Sequence, residues 1–275
     1  MRINAGKWLT YILLGVLSVA FMLPLFWMGR SSFMDLMEIF SYPPKWLPSS
    51  FNFENYREVL TMTSFGSYFI NTLTILIPVV LGTVLTSAMA AFGFARMKFP
   101  LQKFWFSLVI GTMLLPGAVT MIPTFVGWSA LGFTNSYVPL ILPAFFGGGA
   151  FNIFLIRQFM MTLPKDLDES AYIDGAGYIR IFTQIILPLL IPVLVVVSLF
   201  TFIGVWNDFL GPLLYLTDSR KYTLAIGLME LKGSYSTNWG LIMAGSTMVV
   251  LPPALVFLFG QRFFIEGIST TGVKG

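Results

Sequence analysis

Long apolar runs, separated by short polar segments, set the pattern of this chain. Six stretches, residues 8–28, 69–91, 104–126, 137–156, 185–207 and 241–261, contain no Asp, Glu, Lys or Arg. A bilayer core about 30 Å thick takes about 20 consecutive apolar residues as a helix, because every backbone N–H and C=O must be satisfied without water. The pattern therefore predicts an all-α integral membrane protein with six transmembrane helices. Between the first two runs, Pro43, Pro44 and Pro48 break any helix before one can start over residues 53–60, so a structured outer loop is expected. A second outer segment, residues 209–238, ends in the polar run 232–238. No internal repeat or low-complexity tract interrupts the chain, which reads as one membrane domain over residues 1–275. Prolines inside the runs, such as Pro78, Pro116, Pro188 and Pro192, together with Gly147, Gly148 and Gly149, read as kinks and close-packing points.

Composition sharpens this. Only 10% of the 275 residues are charged and 56% are hydrophobic, with a mean hydropathy of +0.82. Soluble domains carry about a quarter of their residues as charges, so a water-soluble enzyme is excluded. The chain has no Cys and no His. Zinc sites of His/Cys type, disulfides, thiol nucleophiles and Ser-His-Asp triads cannot be built, and no bound metal is expected.

The 16 Lys and Arg residues set the orientation. With the N-terminus inside, Arg2, Lys7, Arg96, Lys98, Lys103, Arg157, Lys165, Arg180, Arg262 and Lys274 are cytoplasmic. Arg30, Lys45, Arg57, Arg220, Lys221 and Lys232 are external and more widely spread. Both termini are thus expected in the cytoplasm of a multi-pass plasma (inner) membrane protein. Trp8 and Trp105 fall at the inner boundary, and Trp27, Trp128, Trp206 and Trp239 at the outer one, where indole rings favour the headgroup level. The first run follows Arg2 and Lys7 like a signal peptide, but it is longer than such h-regions and has no A-x-A site, so it reads as a retained anchor. The formal charge of +4 reflects these loops; no basic stripe suggests nucleic acid.

The segment between the fourth and fifth runs, residues 163–184, is the most specific. Pro164 suits the entry to a short helix, and Asp166, Asp168 and Glu169 place negative charge at its positive end. Gly175 offers a left-handed stop after Asp174. Leu167 and Ala171 share a face with Ser170 beside them, and a second short helix is expected over 178–184. Small side chains at Ser170 and Ala171 suit a groove on a cytosolic partner; the same segment also suits an amphipathic rest on headgroups. The residues by themselves leave both readings open.

Glu169, Ala171, Gly175, Ile185, Leu187 and Pro188 match, at the same spacing, the EAA loop of permease subunits of binding-protein-dependent ABC importers. Ser170 replaces the middle alanine. The outer PPKWLPSSFNFENYREVL, the WNDFLGPLLYL and YTLAIGL stretches and the ending RFFIEGISTTGVKG resemble the carbohydrate-uptake branch, of the maltose-permease kind. The resemblance implies a type I ABC importer permease fold, in which two related subunits share a translocation path for a sugar or oligosaccharide. It implies as partners a second homologous permease subunit, a cytosolic ABC ATPase dimer and an extracytoplasmic solute-binding protein. Residues Asp166, Leu167, Glu169, Ser170, Ala171, Asp174 and Gly175 would form the ATPase-coupling helix.

The chain itself has no nucleotide motif. Gly6-Lys7 is followed by Trp8 rather than Ser or Thr, and Gly175-Ala176-Gly177 follows no strand. It is expected not to be an enzyme and to bind no cofactor, with ATP and Mg held by the partner ATPase. Asn71, Asn152, Gln184 and Asn207, polar groups in or at the edges of spans, are candidates for the path, with interhelical hydrogen bonding as their structural alternative. Asp208 reads as a helix-end carboxylate. The rivals are a permease of this architecture for a polyol phosphate or modified saccharide, and an ion-coupled carrier. The second is disfavoured because no titratable group lies within the six runs.

Overall fold

A computed structural model describes residues 5–62, 64–235 and 237–272, with side chains through residue 261. Arg2, Lys274, Ser236 of the polar run and the end of the 269–275 tail lie outside the described residues, as does the side chain of Arg262. Among the described residues there is no strand. The helices are α1 (Ala5–Ser31), α2 (Leu36–Ile39), α3 (Glu54–Met62), α4 (Phe65–Arg96), α5 (Gln102–Gly111), α6 (Gly117–Ala130), α7 (Val138–Ile141) and α8 (Ala150–Thr162). They continue as α9 (Asp166–Ile173), α10 (Tyr178–Arg180), α11 (Leu187–Leu189), α12 (Ile191–Trp206), α13 (Leu210–Tyr215), α14 (Leu224–Ser234) and α15 (Trp239–Gly272). The chain contacts fall into two compact units, Met1–Gly66 with Gly227–Pro252, and Ser67–Ile226 with Pro253–Gly275.

In the first unit, α1 is apolar on all sides and exposed along most of its length, as a lipid-facing helix is. The expected outer loop is ordered by its own side chains. Phe33 meets Phe51 and Phe53 edge-on at 5.5 and 5.2 Å, Ser32 Oγ lies 2.6 Å from Tyr56 Oη, and Asn55 Nδ2 donates to the carbonyl of Ser32 at 2.9 Å. The helix expected over 53–60 forms as α3, one residue later. Trp46, away from any span end, stands edge-on to Trp27 at 6.1 Å. Met34, Val59, Leu231, Leu241 and Ala244 are buried in this unit.

The second unit carries the site. Among the described residues of the whole chain, four helical stretches are long and apolar enough to cross a membrane, and the number reaches six if each of two bent pairs counts as one span. These bends fall at prolines that the sequence marks as kinks. The run 104–126 breaks between Leu114 and Gly117 with a 100° bend, because Pro116 adopts an extended conformation and has no N–H to continue the ladder. The run 185–207 bends by 76° between Leu189 and Ile191. There Pro188 and Pro192 both lie near the turn, and the preceding residues Ile181–Ile186 form a wider π-helical turn rather than the simple short helix expected over 178–184. The run 137–156 is α7, a tight turn, then α8, which continues to Thr162.

The three glycines before α8 all take positive φ, and Gly148 is the constrained one: at φ +63 a Cβ would stand 2.5 Å from the carbonyl oxygen of Thr83. This close approach seats the start of α8 on α4. The core below it joins Ala88, Ala91 and Phe92 of α4 with Ile153, Ile156 and Met160 of α8. Trp206, expected at the headgroup level, is instead buried, stacked on Phe202 and edge-on to Phe69. Neighbouring rings outcompete the interface for this indole.

Candidate functional site

Helix α9 forms where the sequence places it, with Asp166, Asp168 and Glu169 in its first turn. Its stop is built as expected. Gly175 has φ +79, its N–H donates to the carbonyl of Tyr172 at 3.0 Å, and the N–H of Ala176 donates to that of Ala171 at 2.9 Å. This paired closure satisfies two carbonyls at the helix end, and the left-handed residue is one that a side chain would strain. Ser170 Oγ donates to the carbonyl of Asp166 at 2.7 Å. The hydroxyl that departs from the alanine pattern is therefore consumed within the helix, and the outer surface at this position stays nearly as small as alanine.

The two faces of α9 differ. Asp166, Leu167, Glu169, Ser170 and Asp174 are exposed, as are Tyr172 and Ile173, the latter 88% so. Ala171 is buried and joins the core with Ala176, Ile156 and Met160. This corrects the outward stripe expected of Ser170 with Ala171: the first faces out, and the second is the small residue that lets the helix lie against its own bundle. The apolar character of the exposed face comes from Leu167, Tyr172 and Ile173.

What fixes α9 was not legible beforehand. Arg96, at the end of α4, lies with Nε 3.1 Å from Asp168 Oδ2, both side chains almost wholly buried. Its Nη2 donates to the carbonyls of Met160 at 3.2 Å and Leu163 at 3.0 Å, at the end of α8. One guanidinium thus ties α4, the exit of α8 and α9 together. The contact with Asp168 is an ion pair without aligned hydrogen bonding, and Asp168 Oδ1 has no donor. Burial accordingly pushes the Asp168 carboxyl above the ordinary 3.8, with the Arg96 charge acting against that shift. In the sequence Asp168 reads as a helix-dipole charge and Arg96 as a loop cation; no local spacing signals a pair 72 positions apart in the chain.

The expected path residues are not brought together by any hydrogen bond among the described residues. Asn71 Nδ2 donates to the carbonyls of Arg220 at 2.8 Å and Tyr222 at 3.0 Å, pinning the loop whose Asp218 carboxyl Arg220 holds down at about 2. Asn152 Nδ2 donates to the carbonyl of Gly148 at 2.7 Å, and Asn207 Nδ2 to that of Ile203 at 2.9 Å. Gln184, exposed, accepts from Arg180 Nε at 3.0 Å. Each amide does local structural work. Asp208 Oδ1 accepts from the N–H of Gly211 at 3.0 Å, the helix-end role expected for it. No group of three or more acids that could hold a metal occurs among the described residues.

Apolar helices kinked at prolines, with a short helix pinned against their ends by one buried arginine, are the build of a multi-pass membrane protein. The chain belongs to the family described as binding-protein-dependent transport system inner membrane component, which matches residues 82–269 and so includes all of α9. It is similar to the probable ABC transporter permease protein YurM of Bacillus subtilis (strain 168), 33% identical over 98% of this chain and 89% of that protein. It is also similar to the arabinooligosaccharides transport system permease protein AraQ of Halalkalibacterium halodurans, 35% identical over 83% of this chain and 81% of that protein. Among solved structures it resembles a chain of a bacterial ABC transporter involved in the import of the acidic polysaccharide alginate, with a TM-score of 0.84, 21% identity and coverage of 96% and 99%. That last likeness is one of fold. The all-helical permease fold expected from sequence is the one found.

Proposed function

We propose that this permease subunit forms half of a translocation path for a sugar or oligosaccharide, with a second homologous subunit supplying the other half. In this reading α9 is the coupling helix. Its outward residues, Asp166, Leu167, Glu169, Ser170 and Asp174, sit in a cleft of a cytosolic ABC ATPase dimer that holds ATP and Mg, while Gly175 ends the rod. The observation that carries the reading is the pinning of α9 through Arg96: a helix with one exposed face and a buried three-way anchor can transmit a push to α4 and α8. Arg96 is then a positioning residue, and closure of the ATPase swings the spans it ties. The termini lie in the cytoplasm, and the ordered outer loop in the first unit meets an extracytoplasmic solute-binding protein. The carbohydrate substrate is supported by the relative that transports arabinooligosaccharides.

The test is uptake of labelled solute by the assembled transporter in proteoliposomes with its binding protein. Charge reversal at the exposed Glu169, Glu169→Lys, leaves the subunit inserted and assembled but lowers ATP-driven uptake at least about tenfold, the scale of a broken interfacial charge contact of 1.4 kcal/mol or more. Unchanged uptake contradicts the coupling role. Uptake of a polyol phosphate in place of an oligosaccharide contradicts the substrate while leaving the coupling intact.

A further inference from the structure

Beside the anchor, within the second unit, lies a cavity of about 480 Å³. Four cations line it, Arg96, Lys103, Arg157 and Lys165, and no carboxylate does. Arg96 is already committed to Asp168 and two carbonyls. The other three make no ion pair, since the ion pairs among the described residues involve Lys45, Arg57, Arg96 and Arg220, although the charge of Lys165 also reaches Asp168. Arg157 is nonetheless held in place: its Nε donates to the carbonyl of Phe94 at 3.2 Å, and its guanidinium lies 4.1 Å over the ring of Phe106. Phe106 and Met161 add apolar wall. A neighbouring cavity of about 500 Å³ shares Arg96, Gln102 and Lys165 with it but adds Asp168 and Glu169, so its charge is mixed.

The position matters as much as the charge. Arg96 closes α4, Lys103 opens α5, Arg157 lies in the second half of α8 and Lys165 just beyond that helix. Consecutive spans alternate in direction, so the exit of the second, the entry of the third and the exit of the fourth share one membrane face. The cavity therefore stands near the ends of spans, where headgroups lie, with Arg157 set further along its span than Lys165. Basic pockets between helix ends on the cytoplasmic side suit anionic lipid headgroups.

We propose that this cavity binds the phosphate headgroup of an anionic phospholipid, gripped by Lys103, Arg157 and Lys165, with Phe106, further along its span than Lys103, against the first acyl carbons. Charge complementarity and the place of the site near the ends of spans select a lipid over a soluble anion. The test is native mass spectrometry of the assembled transporter released from phosphatidylcholine nanodiscs containing a minor fraction of phosphatidylglycerol. Wild type retains phosphatidylglycerol in preference to phosphatidylcholine. Lys103→Gln with Lys165→Gln, both at exposed positions, weakens that retention by about tenfold or more, since each surface cation contributes about 1 kcal/mol toward anionic lipid. The Lys103→Arg, Lys165→Arg pair retains the lipid and shows that charge rather than altered folding is read. Equal retention by the Gln variant overturns the proposal. Displacement of the lipid by excess inorganic phosphate overturns it too, and assigns the cavity to a soluble anion. The readout involves neither ATP nor transport, so its failure leaves the coupling role standing.

Discussion

Arg96 reaches three acceptors on two other elements from a position almost closed to water, and its partner Asp168 is short of donors. Removing one side of such a pair strands the other charge, whereas replacing both with apolar groups is far milder. Arg96→Met is therefore expected to cost about 3 kcal/mol, and Arg96→Met with Asp168→Leu to recover most of that, read as thermal unfolding of the detergent-solubilised chain. A double change as costly as the single one contradicts this. The pH dependence has a definite sign. Asp168 takes up its proton at a higher pH folded than unfolded, so between 3.8 and its raised value its contribution to stability falls as pH rises, and it stays low at neutral pH. Arg96 opposes the rise, so Arg96→Met carries that decline to higher pH. None of this was visible in the residues alone, because a pair joined across three elements leaves no periodic trace. The Ser170 hydroxyl was visible as a departure but not as a self-satisfied group, since its bond to the Asp166 carbonyl depends on helical geometry.

Among elements, the helices were legible where periodicity and caps agree, and less so where proline intervenes. α9 and its Gly175 stop follow from charge at one end and a left-handed residue at the other. The kinks at Pro116 and near Pro188 were legible from proline's missing N–H, but their sharpness was not, because neither hydropathy nor proline position sets an angle. The seat of α8 on α4 provides a contrast between two glycines of similar φ. Gly132, at φ +77, has open space around a would-be Cβ, while at Gly148 the Thr83 carbonyl stands 2.5 Å away. Gly132→Ala is expected to cost about 1 kcal/mol, the left-handed backbone alone. Gly148→Ala adds overpacking against backbone, for a total of about 3 kcal/mol. Equal melting shifts for the two variants would sink the claim that this close approach seats α8.

For the whole molecule, composition alone excluded a soluble enzyme, and the EAA-loop spacing carried the family, which the match over residues 82–269 bears out. The path was harder to read: polar amides within apolar runs are conspicuous in sequence, yet here each is spent on a nearby backbone carbonyl. What the fold does display is a rigid rod with one free face. The absence of cysteine from the chain makes that face directly testable, because Ser170→Cys introduces a unique thiol. In the assembled transporter, a short maleimide–succinimidyl ester reagent attached through this thiol is expected to acylate a lysine of the ATPase subunit and so cross-link the two, and assembly should protect the thiol from a soluble maleimide. A thiol that labels as fast in the assembly as in the isolated chain, with no cross-link to the ATPase, contradicts the coupling role of α9.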